Sequence, residues 1–329
     1  MIAGSGAPVL ITILSPVYGC RDCLQTLVDR VRATFETQDL EWELVLVDDR
    51  GPDEPWDLIC DLSAQDPRVR GVRLTRNHGQ HLSIWAGLEA ARGAWVVVVD
   101  CDLQDDPSVI PELYQRAIAD QADAVIVERG SWSDSRFRRF ASNVFYRSVD
   151  LLGGIRLRNT GNFGLYSRKM VDALLEFREQ EVFLPMMVAL TGLKRRYHQV
   201  DRSDRAAGES AYGFLRLVRM ATGIIIRFSD RPLKLSVLVG FAFSLFSALI
   251  SIVLVVAWLS GAFTVPGWTS TVLSVWFLSG LIMATLGIHG FYLGRIFAEV
   301  KGRPRIIVET TTETTLDQSW HTQETATLL

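Results

Sequence analysis

The chain has 329 residues, of which 48% are hydrophobic and 22% are charged, and its formal net charge at pH 7 is -3. This length exceeds one small domain and suits a folded domain of roughly 200 residues with an appended part. A nearly neutral charge excludes the strongly basic balance typical of nucleic-acid-binding proteins, so we expect no nucleic-acid partner.

The first part of the chain alternates apolar strand-like runs with helical stretches. This alternation predicts an α/β domain with a Rossmann-like, mostly parallel sheet. Predicted strands lie near residues 9–15, 43–48, 69–74, 95–100 and 124–128. Beyond residue 130 the pattern loosens, and it predicts a helix after Ser167, a helix over 181–190 and a strand around 196–200.

The loop after the first predicted strand reads Ser15-Pro16-Val17-Tyr18-Gly19-Cys20. It lacks the G-x-G-x-x-G pattern that cradles a dinucleotide, which disfavours a dehydrogenase. Cys20 and Cys23 form a lone Cys-x-x-Cys, while Cys60 and Cys101 stand apart along the sequence. We therefore expect reduced cytosolic thiols rather than a metal or redox site.

The fourth predicted strand carries the most informative stretch, because it ends in Asp100, Asp102 and Gln104 just before Pro107. Alternate residues of an extended segment point the same way, so these side chains can converge on one hard cation. The carboxyl end of a strand in an open α/β sheet is also where ligands bind. The pattern predicts metal-assisted handling of a diphosphate. The alternative is an acidic loop that caps the following helix.

Two long apolar segments follow, over residues 235–259 and 270–294, and neither contains Asp, Glu, Lys or Arg. At about 1.5 Å per residue, each is long enough to cross the roughly 30 Å hydrocarbon layer. Basic residues flank the pair, so the positive-inside rule predicts a hairpin with both chain ends in the cytoplasm. We expect a multi-pass protein of the bacterial inner membrane, without a signal peptide. A pair of buried core helices is the alternative.

These patterns divide the chain into six parts. In residues 213–234, apolar residues recur at helical spacing and arginines lie on the opposite face. This pattern predicts a helix lying in the headgroup plane of the membrane, or else a helix packed on the soluble domain. The last residues are rich in Thr, Glu and Gln, which predicts disorder. The parts are a cytoplasmic α/β domain (1–212), an amphipathic interfacial helix (213–234), transmembrane helices (235–259 and 270–294), a juxtamembrane segment (295–308) and a disordered tail (309–329).

One face of the first apolar segment carries small residues. They are Gly240, Ser244, Ala248 and Ser251. Small residues let transmembrane helices approach closely, so this face predicts a homo-oligomer, either a dimer or a tetramer. Packing against lipid is the alternative explanation for the same stripe.

Four motifs follow one another along the predicted sheet: Pro16-Val17-Tyr18, Asp48-Asp49, Arg76-Asn77-His78-Gly79 and Asp100-x-Asp102-Leu103-Gln104-Asp105-x-Pro107. Together they resemble family 2 glycosyltransferases, which have the GT-A fold. The resemblance is closest to polyprenyl-phosphate glycosyltransferases, the group that contains dolichol-phosphate mannose synthases and bacterial undecaprenyl-phosphate glycosyltransferases. Ser229-Asp230-Arg231-Pro232-Leu233-Lys234, ahead of the two apolar segments, is similar to that group's bacterial membrane anchor.

The resemblance implies metal-dependent, inverting transfer of a sugar from a nucleoside diphosphate sugar to the phosphate of a polyprenyl carrier, for cell-surface glycan assembly. It gives catalytic roles to Asp102, Arg205 and Ser210, the last two in a motif that looks like an acceptor-phosphate site. It implies Mg²⁺ or Mn²⁺ at Asp100, Asp102 and Gln104. Donor-binding residues would be Pro16, Tyr18, Asp48, Asp49, Arg76, Asn77, Asp100, Arg129 and Arg136. For the last two arginines, a solvated basic loop is the alternative.

The chain departs from the family's pattern at several positions. Gly19 stands where Asn is frequent, and Arg50-Gly51 replaces the usual Gly-Ser after the acidic pair. Asn162 stands where many bacterial relatives have an Asp proposed as general base, and Gly164 where many have a basic residue. We therefore assign no protein base. A phosphate monoester is mostly a dianion at cytoplasmic pH and needs little deprotonation.

Two other functions stay open on the sequence. One is a membrane-bound transferase that adds a sugar to a hydroxyl of a lipid-linked oligosaccharide, an acceptor that would need a base. The other is a non-catalytic scaffold that recruits a flippase. The transferred sugar and the nucleotide base are also open, because sugar pockets differ by only a few hydrogen bonds.

Overall fold

The computed structural model describes residues 11–36, 38, 40–129, 160–200, 231–260 and 267–313. The strands in this part of the chain are β1 (Ile11–Val17), β2 (Trp42–Asp48), β3 (Val69–Leu74), β4 (Trp95–Val98), β5 (Ala124–Arg129), β6 (Thr160–Ser167), β7 (Arg195–Val200) and β8 (Val308–Thr311). The α-helices are α1 (Leu24–Glu36), α2 (Trp56–Gln65), α3 (Gln80–Ala90), α4 (Ile110–Asp120), α5 (Arg168–Leu175), α6 (Leu184–Leu190), α7 (Arg231–Leu259) and α8 (Trp268–Val300).

The described strands form one mixed sheet in the order β7-β5-β6-β4-β1-β2-β3-β8. β1 pairs in parallel with both β2 and β4, β2 with β3, and β5 with β7. β6 and β8 run antiparallel to their neighbours. This mostly parallel sheet confirms the predicted GT-A-like α/β class.

The central strands are apolar because helices cover both faces of the sheet. All residues of β1 and β2 are buried. On one face, α1 contributes Leu27, Val28 and Val31, which pack in the same cluster as Ile13. On the other face, α3 lies so close that a Cβ on Gly87 would stand 1.9 Å from the Leu14 side chain. The close approach of α3 to β1 therefore requires glycine.

Sequence and structure agree on the parallel strands and differ at β6. The predicted strand over 69–74 matches β3, and the helix after Ser167 and the strand near 196–200 are confirmed. The fourth strand ends at Val98, two residues before the prediction. β6 was not predicted as a strand, because its sequence, TGNFGLYS, contains two glycines and lacks a long apolar run.

The two C-terminal helices belong to the second of two compact units. In the described part of the chain, one segment, Phe277–Val300, is long and apolar enough to cross a membrane, with a mean hydropathy of 1.4 and none of it buried. α7 begins at Arg231, inside the predicted interfacial segment, and it also exposes large apolar side chains such as Phe241 and Leu245. The rings of Phe243 and Phe277 lie 5.4 Å apart, so the helices touch. Residues 213–230 lie outside the described ranges.

The prediction of disorder from residue 309 onward is wrong for the first part of the tail. β8 pairs antiparallel with β3 and completes that edge of the sheet. Thr312 follows it, is 1% exposed, and accepts a hydrogen bond from the Gly71 backbone N–H at 3.0 Å. An edge strand offers unpaired backbone groups, so a polar segment can dock through hydrogen bonds without burying an apolar face. Residues 314–329 lie outside the described ranges.

Replacing Thr312 by Val should destabilise the docked segment, because the buried Gly71 N–H would lose its acceptor. The expected cost is about 1–3 kcal/mol of the free energy of unfolding. Thermal unfolding of the purified full-length protein in detergent measures it. Thr312→Ser is the matched control, since it keeps the hydroxyl. Equal losses in the two variants would contradict the assignment of this hydrogen bond.

Candidate active site

A cleft of about 360 Å³ opens at the carboxyl ends of the central parallel strands. Parallel pairing places the loops after β1, β2 and β4 side by side at this edge. The cleft walls include six of the residues predicted from the sequence: Pro16, Tyr18, Asp49, Asn77, Asp100 and Asp102. The sheet topology therefore brings together residues that are spread over more than eighty positions of the sequence.

The loop after β2 is held by its two carboxylates. Asp48 is 1% exposed, accepts a hydrogen bond from the Arg50 backbone N–H at 2.9 Å, and lies 3.3 Å from the Arg73 Nε as an ion pair. Burial nevertheless raises the pKa of Asp48 above its ordinary value. Asp49 accepts the backbone N–H groups of His78 and Gly79 at 2.7 and 2.8 Å. Asp49 thus fixes the loop that carries Asn77, in addition to lining the cleft.

The loop after β4 presents two carboxylates to the cleft. Asp100 accepts a hydrogen bond from the Gln80 side chain at 2.6 Å, and Asp102 accepts the Gln104 backbone N–H at 3.0 Å. Leu103, which lies between Asp102 and Gln104, has a φ of 62°, and this conformation turns the chain sharply. The Gln104 side chain is exposed and does not line the cleft.

The helix-capping alternative holds for one acidic residue of this loop. The Asp106 side chain accepts the Ser108 backbone N–H at 3.0 Å, at the start of the 3₁₀ turn Pro107–Val109 that leads into α4. Asp105 is buried and lies 3.4 Å from the Asp100 backbone N–H. Asp105 and Asp106 therefore stabilise the loop, whereas Asp100 and Asp102 line the cleft.

The two cleft carboxylates fit a metal that shares its coordination with a substrate. Within the described ranges, no three His, Cys, Asp or Glu side chains cluster as a complete protein metal site. Mg²⁺ commonly keeps several waters and binds one or two carboxylates together with substrate phosphates. Asp100 and Asp102 supply such an oxygen donor set beside an open cleft.

The expectation of separate, reduced thiols is wrong for two of the four cysteines. Cys20 and Cys101 form a disulfide, with their Cα atoms 6.4 Å apart. They are 81 positions apart in the sequence, but the pairing of β1 with β4 places their loops together. The bond joins the loop after β1 to the segment between the cleft carboxylates. Cys23 and Cys60 are free.

The strand β6, which pairs with β4, explains one departure from the family pattern. Gly164 pairs with Val98 of β4, so Asn162 lies two residues further toward the edge where Asp100 leaves the sheet. A Cβ at Gly164 would stand 2.9 Å from the Tyr166 hydroxyl, and Tyr166 is buried. A basic side chain at position 164 would therefore displace the Tyr166 ring. Asn162 supplies a side-chain amide at this position of β6.

Two cleft residues carry no motif signal in the sequence. Gln80 and Ser83 line the cleft from the first turn of α3. Their position directly after the Arg76-Asn77-His78-Gly79 motif, at the start of a helix, is the one feature that points to them. Nearby, His81 packs edge-on against Phe183, with ring centroids 5.0 Å apart, and burial lowers its pKa to about 4. His81 is therefore a neutral packing residue.

Of the remaining predicted residues, Arg76 lies inside the described structure and Arg129 at the end of a described range. Arg76 is exposed beside Asn77, and Arg129 ends β5 at the same edge of the sheet as the cleft loops. Arg136, Arg205 and Ser210 lie outside the described ranges, so their placement stays a prediction.

Known proteins match almost the whole chain. Residues 12–175 match the family described as glycosyl transferase family 2. The undecaprenyl-phosphate 4-deoxy-4-formamido-L-arabinose transferase of Aeromonas hydrophila is 32% identical over 309 residues, 91% of this chain and 93% of that protein. Its namesake from Pseudomonas fluorescens is 33% identical, covering 91% and 89%. An uncharacterised glycosyltransferase of Bacillus subtilis is 29% identical, covering 91% and 93%. The similarity therefore extends through the C-terminal helices.

The disulfide predicts an order in which the four cysteines react. Without reductant, an alkylating reagent should modify Cys23 faster than Cys60, because burial raises the pKa of the Cys60 thiol and lowers its thiolate fraction. Cys20 and Cys101 should react only after reduction. Peptide mass spectrometry before and after reduction gives the order. Alkylation of Cys101 without reductant would contradict the pairing.

Proposed function

Because this chain belongs to the polyprenyl-phosphate glycosyltransferases of family 2, we propose that it transfers a sugar from a nucleoside diphosphate sugar to undecaprenyl phosphate or a similar carrier. The observation that carries the proposal is the near full-length similarity to transferases named for undecaprenyl phosphate. The acidic pair Asp100 and Asp102 in the cleft supports it, because a degenerate scaffold would not need both carboxylates beside an open cleft.

In the proposed reaction, a phosphate oxygen of the acceptor attacks the anomeric carbon of the donor sugar. The new bond joins that oxygen to the sugar, and the bond between the sugar and the nucleoside diphosphate breaks, with inversion. A phosphate monoester has a second pKa of about 6, so most acceptor molecules are dianions at cytoplasmic pH. The amide at Asn162 is compatible with this reaction, because the attacking oxygen carries no proton that a base must remove.

The cleft carboxylates would hold the divalent cation that the family's fold typically uses. When bound, Mg²⁺ or Mn²⁺ stabilises the negative charge that develops on the leaving diphosphate. Gln80 orients Asp100 through its hydrogen bond, and the Gln104 backbone orients Asp102. Gln104 would act through this backbone contact and not as the metal ligand expected from the sequence, because its side chain does not line the cleft. We propose Arg129 and Arg136 as donor phosphate contacts.

Arg205 and Ser210 would hold the acceptor phosphate, Arg205 through a bidentate fork. Both residues belong to the sequence motif Arg205-x-x-Gly208-x-Ser210-x-Tyr212.

A lipid acceptor accounts for the apolar C-terminal helices. The exposed apolar segment of α8 supports insertion into a bilayer. We propose that α7 crosses it as well, so that both chain ends and the cleft face the cytoplasm of a bacterium with the donor nucleotide. Basic residues before α7 and after α8 support this orientation.

The deciding experiment incubates purified full-length protein in detergent with Mg²⁺ or Mn²⁺, undecaprenyl phosphate and a panel of UDP, dTDP and GDP sugars. The panel includes UDP-4-deoxy-4-formamido-L-arabinose, because the relatives are named for that sugar. We expect the lipid phosphate to gain the mass of one sugar. Transfer only to a lipid-linked oligosaccharide would overturn the proposal in favour of a hydroxyl acceptor.

Asp102→Asn should lower turnover by about a hundredfold or more, because the neutral amide loses most of its attraction for the cation. Asp106→Asn is the matched control, since it removes one charge from the same loop while an Asn can still cap the 3₁₀ turn. We expect the control to stay within about twofold of the unmodified enzyme. Near-normal, metal-dependent turnover by Asp102→Asn would refute the metal assignment.

A further inference from the structure

We propose that Glu309, in the C-terminal strand β8, is a positioning residue of the donor cleft and acts through Arg50 and Arg73 on the loop after β2. This inference rests on the proposed function, since it takes the ligand of the cleft to be a nucleoside diphosphate. Glu309 lies outside residues 12–175, which match the family domain. It therefore adds a residue from the C-terminal end of the chain to the donor site.

Glu309 contacts two guanidinium groups at once. It forms an ion pair with Arg50, and its carboxylate lies 3.6 Å from the Arg73 Nε. The same Arg73 nitrogen lies 3.3 Å from the buried carboxylate of Asp48. Arg73 thus lies between two carboxylates, those of Glu309 and Asp48, at the point where β2 leaves the sheet. Removing Glu309 would leave two cations facing one buried carboxylate.

The backbone at Arg50 shows why this ion pair bears on the cleft. Arg50 has a φ of 58°, in the left-handed region that glycine adopts at low cost. An arginine in this conformation carries a conformational cost that glycine would not. Its side chain makes two contacts that offset this cost: the Nε donates to the Leu74 carbonyl at 3.0 Å, and the guanidinium pairs with Glu309.

The turn that Arg50 completes controls one wall of the cleft. Its backbone N–H donates to Asp48, and the neighbouring Asp49 holds the backbone of His78 and Gly79. Asp49 and Asn77 both line the cleft. A shift of Arg50 would therefore move the two side chains expected to meet the nucleoside.

The second acidic residue of the tail offers a matched control. Glu313 also bridges two arginines, Arg70 at 3.1 Å and Arg92 at 2.9 Å. Neither arginine lines the cleft. Glu313→Gln therefore weakens the docking of the same segment without touching the turn at Arg50.

The test measures equilibrium binding of UDP, dTDP and GDP, each with Mg²⁺, to full-length protein in detergent without lipid acceptor. We expect Glu309→Gln to raise the Kd of the preferred nucleotide about three- to tenfold, and Glu313→Gln to leave it within twofold. In turnover, Glu309→Gln should raise the donor KM by a similar factor with little change in kcat. Arg50→Gln added to Glu309→Gln should cause less further loss than Arg50→Gln alone.

Each outcome decides the proposal. Unchanged nucleotide affinity in Glu309→Gln would overturn it, and so would equal weakening in the Glu309 and Glu313 variants, because the cause would then be loss of tail docking in general. Thermal unfolding midpoints of both variants show whether docking is affected alike. Failure of the unmodified protein to bind any of the nucleotides would instead refute the proposed function, and this inference with it.

Discussion

The parallel pairing of β1 with both β2 and β4 is the constraint on which the cleft depends. Nearly all residues of these strands are buried, so polar residues become accessible where the chain leaves the core. Because parallel strands share a direction, their exits lie at one edge of the sheet. Tyr18, Asp49 and Asp102 are distant in sequence and meet there for that reason. Parallel strands need crossover connections, which are helices on both faces of the sheet in this protein. The helices pack on the sheet and form the core that stabilises it.

Much of this architecture could be predicted because its signals are local. An apolar run that ends in acidic residues marks both a parallel strand and its ligand-binding end, and the Asp100 and Asp102 loop follows from that pattern alone. The antiparallel strands β6 and β8 could not be predicted in this way. β6 lies between two strands that bury it whatever its composition, and β8 docks through backbone hydrogen bonds and ion pairs rather than through an apolar face.

Contacts between segments that are distant in the sequence also could not be predicted from sequence patterns. The Cys20 and Cys101 disulfide depends on which strand lies beside β1, and strand order is not written in any single segment. Arg50 looked like a departure from a glycine-containing motif, and its partner stands 259 positions later. In both cases the residue type was visible, but its meaning depended on a neighbour that only the folded chain supplies.

The charge and protonation state of the acceptor decide what the acceptor side of the site must do. A hydroxyl acceptor would need a base, whereas a phosphate dianion arrives with its nucleophilic oxygen already unprotonated and brings two negative charges toward a diphosphate. The main task of the proposed site is then charge neutralisation, not proton transfer. At β6 the buried Tyr166 occupies the space that a basic side chain at Gly164 would need, so position 164 adds no cation. The positive charge must come from elsewhere, and the arginine of the predicted acceptor motif, Arg205, together with the cation at the acidic pair, would supply it.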